Sequence, residues 1–266
     1  MITSTSNAAV KNVVNLSKKT KERNAQGLFI VEGPKMFAEA PEGLLESVYI
    51  AESFFRERKS FLKEHERKLD AVPVQVVSDH VCSVMSDTKT PQGIICLARQ
   101  MRYSCADLAA GPAPLCVILE DLQDPGNMGT IIRTAEGAGA SGVLLSAGCV
   151  DIYNPKVIRS TMGSVYRVPF AAAEDLAPVL EEWKAGGMTL YAAHLDGRGS
   201  YDREDYSAST GFLIGNESRG LTPALTAQAD VLVRIPMCGR VESLNASVAA
   251  AILMYEGFRQ RRQMDA

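Results

Sequence analysis

Three short segments of this sequence carry polar residues that could do chemistry, each just after an apolar run that predicts a buried strand. In open α/β sheets, ligands bind at the carboxyl ends of the strands. Amide, guanidinium and carboxylate groups placed there could orient a substrate or stabilise a developing negative charge. The residues of the first two segments are Asn127 and Arg133 in DLQDPGNMGTIIRTAEGAGA, and Gly215, Asn216 and Glu217 in FLIGNESRGLTP.

Three of these residues also have a plain structural explanation. Asn127 could be only a helix N-cap, Arg133 could be a salt-bridged arginine, and Glu217 could be a capping carboxylate. Gly215 would let a ligand approach the backbone closely. Because three such clusters all follow predicted strands, a functional role explains them better than three separate coincidences.

The third segment is IPMCGRVESLNASVAAAILMYEGFR at 235–259. Ser243 is predicted to be the N-cap of a long helix, whose start leaves free N–H groups and a partial positive charge. Asn245 and Ser247 add further polar groups to the first turn. The helical period places the apolar residues Leu244, Val248, Ile252 and Tyr255 near one face.

Other patterns with a known chemistry are not supported by their context. The stretch GAGASG at 137–142 has dinucleotide-binding spacing, but a helix precedes these glycines and a strand follows, the reverse of the required order. Ser218 in GNESRG lies one place late for a nucleophile elbow. His194 and Asp196 follow a strand as a polar pair, which is more often a loop than a catalytic base.

Composition bounds the class of protein. The chain has 266 residues, of which 46% are apolar and 22% charged, with a net charge of −3, as in an ordinary globular protein. No apolar run reaches membrane-spanning length, and no signal peptide is expected. The six cysteines are scattered and do not cluster with the three histidines, so we expect no metal site, no disulfide framework and a cytoplasmic location.

Strand and helix patterns alternate twice along the chain, which predicts two α/β units. The segment 101–114 between them contains glycine and two prolines and has little periodicity. We therefore predict an N-terminal domain at 1–104, a linker at 105–113 and a second domain at 114–266. Near the N-terminus, Lys18, Lys19, Lys21 and Arg23 form a dense basic cluster, which alone is most simply a solvated helix face.

The three segments resemble the three sequence motifs of the SpoU (TrmH) family of RNA ribose 2′-O-methyltransferases, within the SPOUT class. The matching stretches are DPGNMGTIIRTAEGAGASGVLL, LIGNESRGL and IPMCGRVESLNASVAAAILMYE. The stretch KNVVNLSKKTKERNAQGLFIVEGPKMFAEA resembles the small ribosomal-protein-like domain that many members carry in front. The resemblance implies an α/β fold, with a C-terminal trefoil-knot domain and a small N-terminal α/β domain that binds the RNA substrate.

The resemblance also implies site residues. The catalytic set would be Asn127, Arg133, Glu217, Ser243 and Asn245. The residues that bind the cofactor, S-adenosylmethionine, would be Leu195, Gly215, Asn216, Ile235, Met237 and Leu244. The RNA-binding set would be Lys18, Lys19, Lys21 and Arg23, which would contact phosphate.

The expected activity is methylation of a ribose 2′-OH in structured RNA, most simply ribosomal RNA, by a homodimer without a metal. Three alternatives remain open at this point. The substrate could be transfer RNA, or the chain could be a non-catalytic RNA-binding factor in ribosome assembly. A NAD-linked enzyme is the third alternative, but it would need a glycine loop directly after a strand, and the glycines at 137–142 follow a predicted helix instead.

Overall fold

The computed structural model describes residues 1–197, 199–241 and 243–264, which form two compact units. Unit 1 comprises Met1–Met101 and Asp151–Tyr166, and unit 2 comprises Arg102–Val150 and the described residues from Arg167 onward. The segment 151–166 thus belongs to unit 1, although the sequence alone places it within the second domain. Among the described helices, none combines the length and apolar character needed to cross a membrane.

The elements alternate between helix and strand in both units. The strands are β1 (Leu28–Glu32), β2 (Leu45–Ala51), β3 (Val74–Val77), β4 (Ile94–Arg99), β5 (Leu115–Leu119), β6 (Gly142–Ser146), β7 (Phe170–Ala173), β8 (Thr189–Ala193), β9 (Gly199–Ser200), β10 (Thr210–Ile214) and β11 (Val231–Arg234). The helices are α1 (Ala8–Lys18), α2 (Thr20–Gln26), α3 (Pro34–Glu39), α4 (Glu52–Glu57), α5 (Lys59–Glu64), α6 (Glu66–Asp70), α7 (Asp79–Met85), α8 (Cys105–Leu108), α9 (Pro125–Gly137), α10 (Pro155–Thr161), α11 (Leu176–Ala185), α12 (Pro223–Thr226) and α13 (Ala246–Met264).

Unit 1 is built on a four-stranded sheet in the order β1-β4-β2-β3. Strand β4 is antiparallel to both of its neighbours, whereas β2 and β3 are parallel. Helices α1 and α10 both pack against β1, and the buried Val10, Val13 and Leu16 of α1 are spaced as one helical face.

Arg23 of unit 1 is a structural residue rather than a surface cation. Its guanidinium is 2% exposed and donates to the carbonyl oxygen of Leu16 at 2.6 Å and to Oγ1 of Thr20 at 2.8 Å. It also forms an ion pair with the carboxylate of Asp151 at 2.5 Å. The prediction that Arg23 contacts RNA phosphate therefore does not hold in this structure, because its donors are buried and already used. Lys18, Lys19 and Lys21 are exposed.

Unit 2 is built on a seven-stranded parallel sheet in the order β7-β6-β5-β10-β8-β11-β9. Strands β5 and β10 are entirely buried, as expected for a parallel sheet covered on both faces. Residues 105–108, which the sequence assigns to the linker, form α8 with a Ser104–Asp107 capping box. This short helix buries Leu108 in the core of unit 2, so part of the predicted linker is a packed element.

The last helix begins later than the sequence predicts. Ser243 is exposed and lies before α13, whereas Asn245 is the capping residue, because its Oδ1 accepts the N–H groups of Ser247 at 2.9 Å and Val248 at 3.3 Å. The helix packs on α9, β5 and β10. Its buried side is therefore not the predicted apolar face: Val248 and Tyr255 are 47% and 49% exposed. The buried residues are Ala246, Ser247, Ala250, Leu253, Met254 and Gly257.

Candidate active site

Helix α9 starts immediately after the loop that follows β5. Asp124 is its N-cap and accepts the N–H of Asn127 at 2.8 Å, and Pro125 occupies the first helical position. Asn127 therefore does not cap the helix, so its structural explanation as an N-cap does not hold. Instead its buried side chain lies in the first turn and is available for other contacts.

The carboxylate of Glu217 joins the loop after β10 to the start of α9. Its oxygens accept the N–H groups of Gln123 at 3.1 Å and Asp124 at 2.8 Å, and the side-chain amide of Asn127 at 3.1 Å. Partial burial opposes ionisation, but the hydrogen bonds from Asp124, Gln123 and Asn127 outweigh it and lower the pKa of Glu217. The carboxylate is thus held in its charged, accepting form.

A second amide extends this network to the last helix. The Nδ2 of Asn245 donates to Oδ1 of Asn127 at 2.9 Å, while Oδ1 of Asn245 accepts from the hydroxyl of Ser247 at 2.7 Å. Glu217, Asn127 and Asn245 therefore form one continuous hydrogen-bonded chain. It brings together all three segments that the sequence singles out, although more than a hundred residues separate the first from the last.

The loop after β10 is a tight turn that is closed on itself. Asn216 and Gly220 exchange backbone hydrogen bonds at 3.0 and 2.9 Å, and Oδ1 of Asn216 accepts the N–H of Ser218. A Cβ on Gly215 would lie 2.1 Å from the carbonyl carbon of Gly220. Gly215 is therefore required by the close approach of its own chain, whereas the sequence attributes this glycine to a ligand.

Arg133 lies on α9, six residues beyond Asn127, and its side chain is exposed. No described residue forms a hydrogen bond or ion pair with its guanidinium, which is therefore available to a ligand. Ser243 is likewise exposed, and its hydroxyl contacts no described hydrogen-bond partner. The structure thus joins Asn127, Glu217 and Asn245 directly, and leaves Arg133 and Ser243 open to solvent.

The predicted cofactor residues follow three strands that are neighbours in the sheet, β10, β8 and β11. Leu195 follows β8 and is 58% exposed, and the half-buried Ile235 and Met237 follow β11. Half-buried Leu244 precedes α13, and Gly215 and Asn216 follow β10. Exposed apolar side chains at the carboxyl ends of adjacent parallel strands suit a ligand with a flat apolar ring. The side chain of Asn216 donates to the carbonyl oxygen of Asp121 and accepts the N–H of Ser218, and its backbone N–H and carbonyl are paired with Gly220.

Several residues that build the site were not predicted from the sequence. Asp121, Gln123 and Ser146 fix the loop after β5: the Ser146 hydroxyl donates to Asp121, and Gln123 donates to the carbonyl of Gly148 at 2.6 Å. Their signal was their position directly after β5 and β6. Among the described residues, no group of three or more His, Cys, Asp or Glu side chains is arranged to hold a metal ion.

Comparison with known families gives two matches that together span most of the chain. Residues 114–255 match the SpoU rRNA Methylase family, and residues 7–96 match the MRM3-like substrate binding domain. The first match contains all three polar segments. The second contains the basic cluster of α1 and α2.

Individual relatives match along nearly the whole chain. The 23S rRNA (guanosine(2553)-2'-O)-methyltransferase RlmP of Bacillus subtilis is 32% identical over 96% of this chain and 97% of its own length. The human mitochondrial rRNA methyltransferase 3 is 30% identical over 95% of this chain and 72% of its own length.

Solved structures show the same fold. The SpoU methyltransferase AviRb from Streptomyces viridochromogenes, in complex with the cofactor AdoMet, aligns with a TM-score of 0.88 at 26% identity, over 96% of this chain and 98% of its own. The AdoMet-bound rRNA methyltransferase from Sinorhizobium meliloti aligns with a TM-score of 0.84 at 31% identity, over 97% of both chains. This chain therefore belongs to the SpoU family, has the α/β fold of the SPOUT class, and is an RNA methyltransferase that uses S-adenosylmethionine.

Proposed function

We propose that this protein methylates a ribose 2′-OH in ribosomal RNA. The observation that carries the proposal is the hydrogen-bonded chain of Glu217, Asn127 and Asn245, which assembles the three family motifs into one site. Two relatives that match most of the chain are named as rRNA methyltransferases, one of them as a 2′-O-methyltransferase. The N-terminal match to a substrate binding domain supports a structured RNA as substrate.

S-adenosylmethionine fits the apolar residues at the ends of β8, β10 and β11. Leu195, Ile235, Met237 and Leu244 would enclose its adenine, and the backbone of Gly215 would meet its polar groups, with Asn216 holding the turn that follows. When bound, the cofactor supplies an electrophilic methyl group on a sulfonium. The residues of the protein then have to align the ribose oxygen with that methyl group and stabilise the loss of its proton.

Arg133 is the proposed catalytic cation. A guanidinium is always protonated and has no acceptor, so it suits the holding of a phosphate and the stabilisation of a developing alkoxide better than the removal of a proton. Its exposed and unpaired position supports this role. Ser243, also exposed, is a second proposed contact to the reacting groups.

Asn127, Glu217 and Asn245 are proposed to position the site. Glu217 fixes the amide of Asn127, which in turn fixes the amide of Asn245. The amide groups left on this chain would orient the ribose or Arg133. Because every link is already formed within the protein, little reorganisation is needed when the substrate binds.

RNA binding is proposed for the exposed Lys18, Lys19 and Lys21 at the junction of α1 and α2. Exposed lysines suit phosphate contacts, which position an RNA without reading its sequence. Arg23 contributes by holding this junction rather than by contact.

Assembly and location also remain proposals. We propose a homodimer, supported by the exposed apolar side chains of Val248 and Tyr255 on α13, with half-buried Ile252 between them in sequence. We also propose the trefoil knot of the family. The knot is supported by the last helix, α13, which packs back onto α9, β5 and β10. We propose a cytoplasmic location because all six cysteines are free, as is usual where thiols are kept reduced.

Replacement of Arg133 by alanine tests the catalytic assignment. Transfer of labelled methyl from S-adenosylmethionine to ribosomal RNA should fall by more than about a hundredfold, because the alkoxide loses its cation. Affinity for S-adenosylmethionine, measured by calorimetry, should stay within about twofold, since Arg133 does not belong to the cofactor loops.

The matched control is Arg56→Ala, which removes an exposed arginine of α4 and should transfer methyl like the wild type. Full activity of Arg133→Ala would refute the mechanism. Transfer to tRNA but not to rRNA would assign the other substrate. A wild-type protein that binds RNA but transfers no methyl group to it would be a binding factor.

A further inference from the structure

A cavity of about 210 Å³ lies beside the positioning network of unit 2. Of the predicted cofactor residues, only Asn216 lines this cavity. Its walls combine two carboxylates, one guanidinium and short apolar side chains. The lining residues are Glu120, Asp121, Asn216, Arg219, Gly220, Leu221, Thr222 and Pro223.

Asp121 is held in this cavity by an unusual local structure. Its backbone is left-handed, with φ of 52°, a conformation that non-glycine residues rarely adopt and that recurs at ligand sites. Its carbonyl accepts from the Asn216 amide at 2.8 Å, and its Oδ1 accepts from the Ser146 hydroxyl at 2.9 Å. A Cβ on Gly148 would lie 2.1 Å from this same Oδ1, so the glycine leaves room for the carboxylate.

The second carboxylate oxygen of Asp121 is left for a ligand. Among the described residues, none donates a hydrogen bond to Oδ2, and its only charged neighbour is Arg219 at 3.6 Å. Both oxygens of Glu120, in contrast, are used by the N–H and hydroxyl of Thr222. Oδ2 of Asp121 is therefore the carboxylate oxygen of this cavity that is held in place and that receives no hydrogen bond from the described residues.

Arg219 lies next to this acceptor on a rigid turn. Its N–H is capped by Oδ1 of Asn216 at 3.2 Å, and the turn is closed by the backbone pair of Asn216 and Gly220. The side chain itself is 75% exposed and makes no hydrogen bond to a described residue. A planar guanidinium in this position can lie over a flat ring.

We propose that this cavity binds one unstacked nucleobase of the substrate RNA. Oδ2 of Asp121 accepts a hydrogen bond from an exocyclic amino group of the base, and Arg219 covers its face. Proteins read single-stranded RNA in this way, by stacking on arginine planes and by hydrogen bonds to base edges. This inference rests on the proposed function, and it adds a residue pair that selects the nucleotide.

Two other occupants fit the cavity less well. A phosphate would lie against the carboxylates of Glu120 and Asp121, which repel it. S-adenosylmethionine carries an amino group, but its predicted apolar contacts, Leu195, Ile235, Met237 and Leu244, are absent from the lining. The fixed acceptor and the apolar Leu221 and Pro223 favour a base with an amino group.

The test combines base analogues with two variants of the full-length protein. The rRNA fragment that carries the mapped methylation site is prepared with single bases near the target replaced by analogues lacking the exocyclic amino group. The variants are Asp121→Asn, which the left-handed backbone tolerates, and Arg219→Ala. Glu52→Gln and Arg56→Ala are controls, because they change an exposed ion pair of similar separation, 3.8 Å, in unit 1.

For the wild type and both controls, one analogue position should reduce kcat/KM by about ten- to a hundredfold. In Asp121→Asn, the same analogue should cost less than about threefold, because the Ser146 hydroxyl keeps the amide oxygen in the place of Oδ1 and the amide nitrogen that replaces Oδ2 cannot accept. Arg219→Ala should raise the KM for RNA and leave the affinity for S-adenosylmethionine unchanged.

Three results would overturn the proposal. The wild type could methylate all analogue RNAs equally, or the same analogue could reduce kcat/KM as much in Asp121→Asn as in the wild type. Either result would refute base recognition by this cavity while leaving the proposed function intact. Weaker binding of S-adenosylmethionine by either variant would assign the cavity to the cofactor. Absence of methyl transfer from the wild type to any RNA would remove the proposed function as well.

Discussion

Two parts of the active-site region of unit 2 are built in opposite ways. The pinned loops, residues 121–127 and 215–220, are joined by hydrogen bonds: Glu217 accepts from Gln123, Asp124 and Asn127, and Asn216 donates to Asp121. The proposed cofactor loop is residues 235–244; its described residues, 235–241, 243 and 244, make no hydrogen bond with other described residues and include apolar side chains, with Val241 64% exposed. Under the proposed function, the catalytic side is fixed by the protein itself, whereas the cofactor side would gain its contacts from S-adenosylmethionine.

Loss of the Glu217 charge should have the largest effect on the pinned loops. In Glu217→Gln, the amide nitrogen cannot accept, so Asp124, Gln123 and Asn127 lose at least one partner and Asn127 shifts. We expect kcat/KM for RNA to fall roughly tenfold to a hundredfold, as for a small misplacement of reacting groups. Affinity for S-adenosylmethionine should be unchanged by calorimetry.

Glu46→Gln is the matched control for that variant, because it removes a surface carboxylate that pairs with Arg99. It should behave like the wild type. If Glu217→Gln instead weakens cofactor binding and leaves methylation of bound RNA intact, the division into pinned and cofactor loops is wrong.

Shortening of the cofactor loop's apolar side chains should have the next largest effect. Leu244→Ala removes half-buried apolar surface that would cover the adenine, so the Kd for S-adenosylmethionine should rise about five- to tenfold. Thermal stability without the cofactor should change little. Added S-adenosylmethionine should raise the Tm of the wild type more than that of the variant.

Val241→Ala is the control from the same loop, since Val241 is strongly exposed and is not a predicted cofactor contact. Its Kd for S-adenosylmethionine should match the wild type. Equal losses in Leu244→Ala and Val241→Ala would show that the loop acts as a whole rather than through the named side chains.

The pH dependence of stability should be the smallest effect. The pKa of Glu217 is lowered from its ordinary value of 4.5, so its hydrogen bonds stabilise the folded state at neutral pH and down through that value. The contribution is lost only as the pH falls through the lower folded-state pKa. The Tm difference between wild type and Glu217→Gln should therefore persist below pH 4.5 and vanish in stronger acid; a difference that disappears above pH 5 would contradict the network.

Hydrophobic pattern identifies the strands that are short buried runs, such as β5 and β10. The run GVLLS predicts a strand at 142–146, and β6 has these bounds. Strand β9 lies in a stretch that the sequence predicts to be a polar loop, because its two half-buried residues form no apolar run. The charge and apolar pattern of the stretch 53–69 predicts one amphipathic helix, but the structure interrupts it at Arg58 and His65, where the backbone leaves helical geometry. Neither charge nor period signals those breaks.

The motifs identified several of the residues that meet in the site. The role of each residue became clear only from the side chains and backbone groups that it contacts in the structure. The sequence gives no sign that Asp151, 128 residues away, neutralises Arg23. Nor does it show that Asn245 rather than Ser243 caps α13, since both residue types favour that position. The left-handed backbone of Asp121 is equally invisible, because aspartate is not the residue that such a position usually requires.

The position of the transferred methyl group tests the central claim most directly. Ribosomal RNA is incubated with the purified protein and methyl-labelled S-adenosylmethionine, digested to nucleosides, and analysed by mass spectrometry. The pinned network of Glu217, Asn127 and Asn245, together with the exposed Arg133 on the same helix as Asn127, predicts a labelled 2′-O-methylnucleoside. Label on a base, or no label in any RNA, would contradict the account.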